Sequence, residues 1–97
     1  MQATTVEIDN AVSRDATVLD VYTGDRVGLL FTITNCLYHL WLEIHLAKIT
    51  TMVDQVLDVF YVTDGEGYKI LDEGRLHAAS ETIIGELEAQ ANGGPAA

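Results

Sequence analysis

Residues 4–9 alternate, with Val6 and Ile8 on one side and Thr5, Glu7 and Asp9 on the other, which is the period of a half-buried strand. Turn formers fill 10–15. A β-rich run then resumes over Thr17–Thr23 at hairpin spacing from the first. From residue 26 the period changes: Leu29, Ile33, Cys36 and Leu40 recur at helical intervals, with Leu30 and Leu37 widening the stripe. This predicts an amphipathic helix over about 26–40, with Asp25 placed to cap it.

Strand alternation returns over 42–51, where Leu42, Ile44 and Leu46 share one face and Glu43, His45 and Ala47 the other. Met52-Val53-Asp54 turns the chain into a further strand over 55–64. That strand has Val56, Phe60 and Val62 on one face and Leu57, Val59 and Tyr61 on the other, and Asp64-Gly65-Glu66-Gly67 ends it. After Asp72 a second helical stripe runs through Leu76, Ala79, Ile83 and Leu87, with Glu81, Glu86 and Glu88 outside it. A single domain over 1–91 and a disordered tail over 92–97 are expected.

The order strand, strand, helix, strand, strand, helix fits an α+β two-layer sandwich: a four-stranded antiparallel sheet with both helices on one face. The ferredoxin-like order ends in a strand that pairs with the first. None follows the second helix here, and the extra N-terminal strand can hold that edge in that direction. The predicted fold is therefore a permuted ferredoxin-like arrangement, ββαββα. Both faces of the strand at 55–64 are apolar while two helices cover only one, so the other face is expected to seek a second subunit or domain.

Composition narrows the function. Five Lys plus Arg against fifteen Asp plus Glu give a formal charge of -10, which repels nucleic acid and anionic membranes. Apolar runs of about four residues fall far short of the roughly 20 that span a bilayer. The N-terminus has no basic flank before an apolar stretch, so no secretory leader is expected. The single cysteine, Cys36, suits a reducing compartment, and the expected location is cytoplasmic.

Five stretches carry a more specific signal. They are Val6-Glu7-Ile8-Asp9-Asn10, Ala16-Thr17-Val18-Leu19-Asp20-Val21, Asp25-Arg26-Val27-Gly28-Leu29-Leu30, the strand over 42–51, and Asp58-Val59-Phe60-Tyr61-Val62-Thr63-Asp64. Together they resemble the ACT domain, a small-molecule sensing module. The likeness is greatest to the C-terminal ACT domains of bacterial PII uridylyltransferase/uridylyl-removing enzymes and to plant ACT-repeat proteins. The resemblance spans about 5–87 and implies a regulatory domain of nitrogen metabolism that binds an amino acid, glutamine first among candidates. It also implies a site at the turn before the first helix, often at a subunit interface. Val27 stands where the family usually has proline; at a first helical position proline would stiffen the turn.

On that reading the candidate ligand-binding residues are Asp25, Arg26, Val27, Gly28, Leu29 and Leu30, with Glu43 and His45 of a neighbouring subunit. Gly28 permits close backbone approach, and exposed amides at a positive helix end can receive a carboxylate. Asp25 can hold an ammonium group, or simply cap the helix. His45 can offer a ring nitrogen to a ligand, or be an ordinary sheet-surface residue. His39 suits the negative end of the first helix, and neither it nor His77 requires a function.

His39, His45, His77 and Cys36 lack metal-ligand spacing, so no metal or cofactor is expected. Cys36 lies on the apolar stripe as a core residue, and no nucleophile and base can be named as a pair. The chain is therefore expected to be non-catalytic, although a longer parent can be a nucleotidyltransferase. Its expected partners are a small effector and either further copies of itself or an adjoining regulatory domain. A ligand-free oligomerisation or interaction module is the alternative.

Overall fold

The structure is a computed structural model that describes residues 3–92. The expected tail over 92–97 lies outside the described residues except for Asn92, which ends the second helix with its N–H on the Glu88 carbonyl. The elements are β1 (Thr5–Asp9), β2 (Thr17–Thr23), α1 (Leu29–His39), β3 (Glu43–Thr51), β4 (Val56–Thr63) and α2 (Glu73–Ala91). All strand pairs are antiparallel and the sheet order is β1-β2-β4-β3. This is the ferredoxin-like arrangement, with β1 at the edge beside β2 that a C-terminal strand holds in the unpermuted order.

One core joins the layers. Ile33, Cys36 and Leu37 of α1 and Leu76, Ala79, Ile83 and Leu87 of α2 pack on Leu19, Val21, Phe60 and Val62 of the central strands. Val6 and Ile8 of β1 are half-buried against that core. The opposite face of β4 is less open than its apolar pattern predicts. Leu57, Val59 and Tyr61 are half-buried within the chain, and the Lys48 ammonium lies 5.4 Å from the centre of the Tyr61 ring.

Three local expectations are corrected. The first helix begins at Leu29 rather than 26, because Gly28 takes the N-cap position in the left-handed region at φ 80 and no side chain caps it. Asp25 is therefore not the cap, and Val27 precedes the N-cap instead of opening the helix. In β3, the register shifts between Ile44 and Leu46, so the alternation is broken at His45. Ile44 and Ala47 pair with Val62 and Phe60, whereas Leu46 pairs with Tyr61, so Ile44 and Leu46 lie on different faces.

Candidate functional site

The connection from β2 into α1 crosses one end of the β3–β4 pair and leaves a hollow of about 260 Å³. Asp25, Arg26 and Gly28 line it from the connection, and Leu29, Leu30 and Phe31 from the first turn of α1. Ile49 of β3 with Val56 and Asp58 of β4 form the remaining wall. Leu29 N–H donates to the Arg26 carbonyl and Thr32 N–H to that of Gly28. The amides of Leu30 and Phe31 have no acceptor among the described residues, as helix starts require, and they carry the positive end of the helix dipole.

Two polar side chains at the hollow carry buried atoms without a hydrogen-bond partner among the described residues: Arg26 through Nη1 and Asp58 through Oδ1. Arg26 is held by its other nitrogen, since Nη2 donates to the Thr23 hydroxyl at 3.2 Å. A third such atom, Oε1 of Gln90, belongs to the side chain behind Gly28, whose Nε2 would lie 3.7 Å from a Cβ at that glycine. Burial, and secondarily the charge of Asp25, push the Asp58 carboxyl above its ordinary range. The hollow thus presents a guanidinium and free amides suited to an anion, a carboxyl suited to a cation, and an apolar remainder.

Of the residues expected to bind ligand, Asp25, Arg26, Gly28, Leu29 and Leu30 line this hollow. Val27 does not, and is 98% exposed. Glu43 and His45 are not brought to it within the chain. Glu43 pairs with Thr63, five residues along β4 from Asp58, or roughly 16 Å at about 3.3 Å per residue. His45 Nε2 lies 2.7 Å from the Thr63 hydroxyl, so its ring is engaged within the chain at that end of β4. Sequence reasoning missed Phe31, Ile49, Val56 and Asp58. A signal for Asp58 existed: it places a carboxylate among Val56, Phe60 and Val62, on the face of β4 that is otherwise core.

Cys36 is buried, and its thiol is pushed up by burial and then by Glu86, away from thiolate chemistry. Among the described residues no helix is long and apolar enough to cross a membrane.

Residues 12–89 match a family described as the ACR family N-terminal ACT domain. The chain is 42% identical over 82 residues to the bifunctional uridylyltransferase/uridylyl-removing enzyme of Azospirillum brasilense, covering 84% of this chain and 9% of that protein. It is 44% identical over 82 residues to the enzyme of the same name from Gluconobacter oxydans (strain 621H), with the same coverage of 84% and 9%. The chain therefore spans less than a tenth of the length of these relatives. No solved structure gives a significant match.

Proposed function

Since the chain belongs to the ACT-domain family, we propose that it is a regulatory domain that senses an amino acid in the hollow at the start of α1, with glutamine the first to test. The observation that carries this reading is the buried, unpartnered Arg26 Nη1 in a hollow that also presents the free amides of Leu30 and Phe31. An α-carboxylate satisfies both kinds of donor, and a charge-assisted pair away from water is stronger than one in solvent. Asp25, Gly28 and Leu29 complete the wall. Glu43 and His45 take part only from a neighbouring subunit.

The same reading makes the domain part of a uridylyltransferase-type protein that acts in the cytoplasm, its catalysis lying in other portions of the parent. Calorimetric titration with each of the twenty amino acids tests it. Saturable heat with one of them, lost in Arg26→Ala, is the expected result. No saturable heat with any amino acid overturns the sensing role.

A second reading, assembly without a ligand, is favoured by β3. It is an edge strand exposed along its whole length, with Leu46 47% and Ile49 54% exposed. Light scattering at micromolar concentration, taken with the titration, decides it: a homodimer or larger assembly without saturable heat supports this reading, and a strict monomer removes it.

A further inference from the structure

We infer that the buried carboxyl of Asp58 is the cation subsite of this hollow, receiving an ammonium or a similarly small N–H-donating group from the ligand. The inference rests on the sensing reading above and assigns the end of the ligand that Arg26 and the helix amides do not hold.

Position is the first argument. Asp58 pairs with Val21 on one side and Ile49 on the other, in the middle of a four-stranded sheet. It lies on the helix-facing side of β4, where every neighbour along the strand is apolar, and is 2% exposed. A carboxyl there has lost its water, yet Oδ1 accepts nothing among the described residues. Buried acceptors in folded proteins almost always have a donor, so an orphan calls for one from outside the chain. The hollow is where that donor can enter, because Asp58 forms part of its wall.

Charge is the second argument. The charged groups facing this wall are Asp25 and Arg26 of the connection; α1 brings Leu29, Leu30 and Phe31, and β3 brings Ile49. With Asp25 near enough to disfavour ionisation of Asp58, a cation held at Asp58 offsets that repulsion. The two acids do not contribute equally. Asp25 is exposed and its field is screened, whereas a contact to the desolvated Asp58 keeps its strength. Asp58, rather than Asp25, therefore sets the demand for a donor, and Arg26 gives the hollow its opposite polarity.

The test titrates the chain with the twenty amino acids, with the N-acetyl derivative of any that binds, and with ethylammonium chloride. Wild type is compared with Asp58→Asn and Asp25→Asn, each checked by thermal melt, and the Asp58 carboxyl carbon is followed by NMR in the wild type. Acetylation removes the cation and should weaken binding at least about tenfold in wild type. It should make little further difference in Asp58→Asn, whereas Asp25→Asn, whatever its own affinity, should keep the acetylation penalty.

An amino acid that binds wild type and Asp58→Asn equally, or an acetylation penalty unchanged in that variant, overturns the subsite and leaves the sensing role standing. Ethylammonium moving the Asp58 resonance while no amino acid binds does the reverse. An Asp58 resonance that no ammonium probe moves also overturns the subsite, and this measurement needs no variant to fold.

Discussion

The hydroxyl of Thr23 lies 2.9 Å from that of Thr4, and the same oxygen receives Nη2 of Arg26 at 3.2 Å. Both threonines are buried, so this contact joins the residue just before β1 to the end of β2 and, through the guanidinium, to the wall of the hollow. The geometry of the candidate site therefore depends on the N-terminal segment.

Thr23→Val keeps the shape and removes the hydroxyl, leaving Thr4 and a second guanidinium nitrogen without their partner. A loss of about 1–3 kcal/mol is expected in urea unfolding. Thr4→Val should cost less, because Arg26 retains its acceptor. Equal losses would mean that the guanidinium contact contributes nothing to stability.

Deleting residues 1–10 removes β1, its pairing with β2, and the Asn10 side chain that bridges the Thr17 hydroxyl and the Ile70 carbonyl. It also opens an edge of the core at Val6 and Ile8. The expected outcome is loss of cooperative thermal unfolding. A sharp transition near the full-length midpoint would show that the sheet does not need its fourth strand.

Gly28 stands at φ 80, and a Cβ there would meet only Gln90 Nε2 at 3.7 Å. The obstacle to a side chain is backbone conformation, not space. Gly28→Ala should cost about 1 kcal/mol or somewhat more, and Gly28→Asn less, because Asn tolerates the left-handed region. Denaturant midpoints of the two variants give the comparison directly.

Trp41 occupies the left-handed region at φ 62 and is 82% exposed. It closes α1: its N–H donates to the Tyr38 carbonyl at 3.1 Å, and Leu42 N–H donates to that of Leu37 at 3.0 Å. Glycine is the usual residue at this point of such a cap. Trp41→Gly relieves about 1–2 kcal/mol of backbone strain. Glycine's own entropy gives back about 0.5–1, so a net gain of up to about 1.5 kcal/mol is expected. A loss would show that the indole makes contacts worth more than the strain.

The Asp58 carboxyl, held above its ordinary 3.8 by burial and then by Asp25, makes the folded state bind a proton more tightly than the unfolded chain. Its contribution to stability is fully present below the unfolded pKa and is lost as pH rises through the folded value. The urea midpoint of wild type should therefore fall relative to Asp58→Asn as pH is raised from about 4. Asp64 acts in the opposite sense. Its carboxylate accepts the Tyr68 and Glu66 amides and is held low chiefly by Tyr68, so its contribution exists above its ordinary 3.8 and disappears on acidification. An unchanged difference between wild type and Asp58→Asn across this range would remove the raised carboxyl from the account.

Element identity was legible in the chain because amphipathic periodicity is local. The run Thr17–Thr23 forms β2 at its predicted bounds, and Leu76, Ala79, Ile83 and Leu87 are the residues that α2 buries. The permuted strand order followed from counting elements, with a strand pattern at 4–9 placed ahead of the β2 run at hairpin spacing. Only the tertiary structure decided where α1 begins, because that depends on a left-handed glycine which no periodicity reports. It also decided which way β3 faces after His45, because a register shift is a property of two strands together. Asp58 shows the same division. Its place in the apolar alternation of β4 could be read from the sequence. The burial of its Oδ1 without a partner among the described residues, and its access to a hollow, arise from residues brought together from β2, the connection after it, α1 and β3. Burial and electrostatic surroundings are sums over spatial neighbours, and those neighbours exist only once the chain has folded.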